Sequence, residues 1–149
     1  MATPYSVLIG DFLDKVAEYK FLQYDDDVNG QLAKGYLTRA CAQFNPIFSK
    51  RTKFNLNDRD DKSEQFNFDF PDRESIDVIS EGMVVQWMKP YANNSENLEN
   101  FLNTKDYSMN SPANLLSKVR SAYQEARTEF RNRMNDYSYN HGELDQLHM

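Results

Sequence analysis

From Leu116 onward the apolar residues Leu116, Val119, Tyr123, Ala126, Phe130, Met134 and Tyr137 recur at steps of three and four. That period lines one face of an α-helix and fits no strand. The spacing predicts a helix opened by Ser111-Pro112 and running for roughly 28 residues, about 40 Å at 1.5 Å per residue. A rod of this length exceeds what a modest core can cover, so a 149-residue chain built round it must be a helical bundle that leaves part of the rod uncovered.

The other periods agree. Thr3 as cap and Pro4 at the first helical position open a first helix to about Phe21, with Val7, Leu8, Phe12, Val16 and Tyr19 on one side. Asp25, Asp26 and Asp27 suit the positive N-terminus of a second, which carries Leu32, Tyr36, Leu37, Ala40, Cys41 and Phe44 and is expected to end at Asn45-Pro46. A third starts near Asp72, behind Pro71, and runs through Ile76, Ile79, Met83, Val84, Trp87 and Met88 until Pro90 stops it, with Gly82 marking a close helix crossing. Ser95 caps a short helix over Leu98, Phe101 and Leu102, and residues 103–110 form a polar connection. Only between Lys53 and Phe70 does the period become alternating: Phe54 and Leu56, then Phe66, Phe68 and Phe70, with the polar run Asp58 to Lys62 as the tip. The expectation is a mainly α protein, a bundle of about four to five helices in one domain spanning residues 1–149. It would carry a β-hairpin or extended arm at about residues 53–70 and a flexible or partner-ordered tail at about residues 140–149.

Composition narrows the function classes. At 40% hydrophobic residues the chain is too rich in core-forming side chains to be wholly disordered. No run approaches the roughly 18 apolar residues of a membrane span, and the start lacks the basic flank of a signal peptide, so neither membrane contact nor export is expected. The single Cys41 excludes an internal disulfide, and its apolar setting predicts packing.

A net charge of −6 argues against nonspecific duplex binding by the whole surface. Its distribution is uneven: residues 36–54 hold Arg39, Lys50, Arg51 and Lys53 without an acid, whereas residues 55–82 hold nine acids against three bases. Such segregation commonly means solvated faces, and it also suits head-to-tail contact between copies. The final helix has a net +3 between residues 116 and 134. Solvated charge opposite the core is the first reading there, and Arg127, Arg131 and Arg133 are the candidates for contact with DNA.

Catalytic patterns are missing from the sequence: it has no glycine-rich phosphate loop, nucleophile elbow or His-Glu-x-x-His. Both histidines, His141 and His148, fall in the terminal tail. The acidic run at Asp58, Asp60 and Asp61 lacks the midway glycine of a calcium loop and has Lys62 where a ligand would be needed. A non-enzymatic protein without cofactor, metal or catalytic residue is expected.

Six segments together carry a family likeness: Asn57-Asp58-Arg59-Asp60-Asp61, Gln65-Phe66-Asn67, Gly82 through Pro90, Asn103-Thr104-Lys105-Asp106-Tyr107, Ser111 through Leu116, and Tyr137-Ser138-Tyr139-Asn140-His141-Gly142. In this order, over nearly the whole chain, they resemble small neck or head-to-tail adaptor proteins of tailed phages infecting Gram-positive bacteria. The resemblance implies a structural virion protein made in the host bacterial cytoplasm. Its copies would form a ring, dodecameric in such families, beneath the portal, and would also meet other neck or tail-completion proteins and, in passing, packaged DNA. On that reading the stretch from Tyr137 through Leu147 docks on the portal, with Tyr137, Tyr139, Leu144 and Leu147 expected beyond the core and His141 among the docking residues. Phe54, Leu56, Asp58, Asp60, Asp61, Phe66 and Phe68 either contact a neighbour or the next ring, or form a local strand pair packed on the chain's own helices. A phage-encoded acidic binding protein acting on a host factor is the alternative, and a helical enzyme subunit a third reading.

Overall fold

The computed structural model describes residues 2–17, 31–93 and 112–143. The expected short helix over residues 98–102, the connection at 103–110, the aspartates at 25–27 and the tail from Leu144 lie outside the described residues. Within them the chain is mainly helical: α1 (Tyr5–Val16), α2 (Gln31–Arg51), a hairpin of β1 (Arg59–Asp60) and β2 (Gln65–Phe66), α3 (Arg73–Asn93) and α4 (Pro112–Ser138), which closes in a single π-helical turn, Tyr139–Glu143.

Helix α3 is the axis of the bundle and packs against α1, α2 and α4. Ile79, Met83, Val84, Trp87 and Met88 are buried, as the stripe predicts, but so are Ser75, Ser80, Glu81 and Gln86 on its other sides. Two of these are satisfied across helices, Ser80 Oγ donating to Asp11 of α1 at 2.5 Å and Lys15 reaching Glu81 at 3.3 Å, while Ser75 Oγ donates to Asp72 O at 2.9 Å. Gly82 marks the tightest crossing. A Cβ there would lie 2.7 Å from Phe130 Cζ of α4 and 2.9 Å from Ala40 Cβ of α2, so only glycine lets three helices meet at this level.

Two expected helix ends are not ends. Pro46 lies inside α2 and Pro90 inside α3. Each proline is exposed, so its ring meets solvent, while residues beyond it are buried: Phe48 after Pro46, Tyr91 and Ala92 after Pro90. Their burial outweighs a mid-helix proline penalty of about 3 kcal/mol. Helix α1 begins one residue later than expected, with Pro4 at the N-cap in an extended conformation and Thr3 making no cap. Thr3 is recruited by the hairpin instead: its N–H donates to Phe68 O at 3.0 Å, its carbonyl accepts from Phe66 N at 2.8 Å, and its hydroxyl accepts from Phe70 N at 3.1 Å.

The hairpin pairs Arg59 with Phe66 and Asp60 with Gln65. It is shorter than the alternating pattern predicts because the phenylalanines gather into a cluster rather than a ladder. Phe66, Phe68 and Phe70 lie within 4.9–5.6 Å of one another by ring centroid, and Phe48 of α2 stacks 6.0 Å from Phe68.

Candidate functional site

Three polar regions border the core. The first is a clasp that closes α4. Tyr137 arrives on the apolar stripe of α4, is fully buried against Phe44 and Phe48, and donates its hydroxyl to Asp72 Oδ2 at 3.1 Å. Burial, then the charge of Asp72, holds that hydroxyl in its neutral form far above the usual tyrosine range. One turn on, the His141 ring stacks on Tyr137 at 4.0 Å, and its Nε2 lies 3.1 Å from Glu74 Oε2. Asn140 Nδ2 donates to the other oxygen of Glu74 at 3.2 Å, and Arg51 Nε donates to Ser138 Oγ at 3.2 Å. The end of α4 is thus fastened to the start of α3 and the end of α2.

This overturns one premise. Tyr137 was expected beyond the core and is part of it, because it continues the three- and four-residue period of α4 onto the aromatic cluster. His141 is half-buried in the same clasp, whereas Tyr139 projects outward, 57% exposed. Leu144 and Leu147 lie outside the described residues.

The hairpin is held by the chain itself. Leu56, Phe66 and Phe68 are buried in the chain's own core, and Phe54 stacks on Phe68 with centroids 4.8 Å apart, so the local packing alternative holds for these apolar residues. The carboxylates have local duties too. Asp58 Oδ1 accepts from Asn67 Nδ2 at 2.9 Å, Asp60 accepts from Ser63 Oγ at 2.8 Å and Lys62 N at 2.9 Å, and Asp61 accepts the Tyr5 hydroxyl at 2.6 Å. Those bonds, the one from Ser63 first, hold the Asp60 carboxyl below its usual range. Charge reversal at the three aspartates would therefore disturb the hairpin itself.

The second region is a groove of about 680 Å³ where α2, α3 and α4 meet. Gln43 comes from α2, Gln86, Lys89 and Asn93 from α3, and Tyr123, Gln124, Arg127 and Arg131 from α4, over a floor of Val85, Phe130 and Met134. Its lining holds three cations and no carboxylate. Arg127 lies over the Tyr123 ring at 5.6 Å, and among the described residues none of the three cations has an ion-pair partner. On the exposed stripe of α2, Arg39 precedes Gln43 by one turn and Lys50 follows it by two, which extends the positive field.

The third region is the other flank of α4, lined by Glu74, Asp77, Glu129, Arg133 and Asp136. Here Arg133 bonds Glu129 at 2.9 Å and is paired with Asp77, which also takes Lys15 at 2.7 Å. Arg133 is thereby engaged in joining α1, α3 and α4, whereas Arg127 and Arg131 face the groove. At about 100° per residue, Arg127 and Arg131 sit roughly opposite Glu129 and Asp136 around the helix axis.

Sequence reasoning reached Arg127 and Arg131 but missed Lys89, which read as the end of a helix before Pro90, and Gln43 and Gln86, which no motif flags. Asp72 was read as a helix start, and Glu74 and Asp77 only as members of an acidic stretch. Among the described residues no three His, Cys, Asp or Glu side chains gather in a way that could hold a metal ion, and no helix is long and apolar enough to cross a membrane. Cys41 is buried, and its thiol is pushed up to about 12 by that burial, which keeps it protonated and unreactive at neutral pH. Comparison with protein-family models, curated proteins and solved structures gives no match.

Proposed function

We propose that this protein is a structural subunit of a phage neck, an adaptor whose copies form a ring joining the portal at the capsid vertex to the tail. The observation that carries the reading is where the polar side chains are spent. Asp11, Asp61, Asp72, Asp77 and Glu74 each bond a residue at least 56 positions away in the chain, tying helix ends and the hairpin together. Such fastening suits a rigid wedge whose duty is mechanical. The sequence resemblance supplies the biological setting, and its segments from Gly82 to Pro90 and from Tyr137 to Gly142 coincide with the crossing and the clasp.

On this reading the portal-docking segment starts at the exposed Tyr139 and continues through Leu144 and Leu147, from a base that the clasp holds still. Light scattering on a sizing column, with the protein alone and mixed with its phage's portal ring, tests it. A stable complex with a fixed number of subunits per portal is expected; no change in the mass of the portal ring sinks the adaptor assignment. Removing residues 144–149 is expected to abolish the complex without changing the melting temperature. Deletion from Tyr137 would unfold the clasp and test nothing about docking.

A further inference from the structure

We infer that the cationic groove of one copy receives the acidic flank of α4 of the next, so that α4 carries both halves of a head-to-tail contact. The argument begins with a mismatch inside the chain. The protein has six more acids than bases, yet Lys89, Arg127 and Arg131 line one groove without a carboxylate. Cations left together in this way repel one another, and an acidic surface brought from outside relieves that cost. The chain itself presents such a surface on the far side of the same helix. Glu74, Asp77, Glu129 and Asp136 line that flank against Arg133 alone, an excess of three acids.

Two complementary patches on opposite sides of one helix cannot meet within a single copy. Between copies they make a heterologous contact that repeats, closing into a ring when the rotation allows. The groove also offers more than charge. Phe130 and Met134 form an apolar floor, and Gln86 adds an amide beside the cations, which suits a packed protein surface. A phosphodiester strand is the less favoured occupant, because three cations neutralise few phosphates and the remainder of the surface repels them. The inference rests on the neck reading for its setting but not for its chemistry.

A charge-swap pair tests it. Variant one carries Arg127→Glu and Arg131→Glu; variant two carries Glu129→Lys and Asp136→Lys. Sedimentation equilibrium of the wild-type protein at low salt is expected to detect self-association that weakens as salt rises. Each variant alone, with two patches of like sign, is expected to associate at least tenfold more weakly. Mixed in equal amounts they should associate again, since the reversed groove of one then faces the reversed flank of the other. Circular dichroism melting of each variant separates loss of contact from loss of fold.

A wild-type protein that stays monomeric at millimolar concentration and low salt overturns the inference. So does a mixture no better associated than its parts. A third contrary outcome is a variant one that self-associates like wild type but has lost affinity for a duplex oligonucleotide, which would make the groove a phosphate seat. The portal-mixing experiment distinguishes the two levels: portal binding without the charge-swap pattern removes only the surface assignment, and the pattern without portal binding removes the neck reading.

Discussion

The hairpin region at residues 54–70 and the outer surface of α4 look alike in composition, since both mix aromatic residues with a dense run of charge. They differ in where their needs are met. In the hairpin Asp58, Asp60 and Asp61 each accept from a donor in this chain, and Leu56, Phe66 and Phe68 are buried. On α4 the apolar residues are likewise inside, but Arg127 and Arg131 face a groove that holds no acid. The two regions therefore differ not in polarity or alternation but in whether their charges are matched within the chain, and the unmatched groove is the one proposed to take a partner.

The sharpest way to break that comparison is Phe66→Ala. Phe66 is fully buried, edge-on to Tyr5 at 5.2 Å and to Phe70 at 4.9 Å, and truncation should cost about 3–5 kcal/mol. At roughly 2–4 °C per kcal/mol, thermal melting would fall by about ten degrees. A drop of only a degree or two would mean that the hairpin is an arm held elsewhere, and the contrast with α4 would vanish.

Gly82→Ala, in α3, probes the inner face of α4 next. Alanine favours a helix by about 1 kcal/mol over glycine, yet here the methyl would collide with Phe130 and Ala40, and overpacking of this kind costs about 1–3 kcal/mol. A net loss of stability is expected, partly recovered when Phe130→Leu is added, because the two sites share one contact. Additive losses in a double-mutant cycle would show that the crossing is looser than the geometry indicates.

A smaller effect tests the two fastened tyrosines. Burial, then the bond to Asp61, raises the Tyr5 hydroxyl, and burial, then the charge of Asp72, raises that of Tyr137, both from an ordinary 10.0. The neutral form is the one the folded state prefers, so this stabilisation is complete below pH 10 and is lost as pH rises beyond it. Urea melts between about pH 8 and 11.5 should show stability falling above pH 10. Tyr5→Phe and Tyr137→Phe should each flatten the fall at a cost of about 1 kcal/mol near neutrality. An unchanged slope in both variants would assign the alkaline loss to other groups.

Much of this was legible in the sequence where one period governed one element. The stripe from Leu116 to Tyr137 lies on the core side of α4, and that helix spans 27 residues. Gly82 marked its crossing. The reading failed where a tertiary partner overrode a local rule: Pro46 and Pro90 do not end helices, because Phe48, Tyr91 and Ala92 have core places to fill beyond them. Thr3 gave up a cap for a place beside β2. Tyr137 was on the right stripe and was still assigned outward, since nothing local reveals that Asp72, 65 positions earlier, would be waiting for its hydroxyl. The groove was illegible for the same reason: Gln43, Lys89 and Arg127 come from three helices, and only the fold brings them together.

The finest test sets Arg131 against Arg133, the same residue type two positions apart on one helix. Arg133 is paired with Glu129 and with Asp77, while Arg131 stands in the groove. Arg133→Ala should lower stability by up to about 1 kcal/mol, the upper range for a solvent-screened pair, because the junction of α1, α3 and α4 loses a member. Arg131→Ala should change stability by less than about 0.5 kcal/mol. Their order should invert for self-association, with Arg131→Ala weakening it more than Arg133→Ala. Equal effects on both measurements would mean that neither flank of α4 is specialised, and that the difference between matched and unmatched charge carries no functional weight.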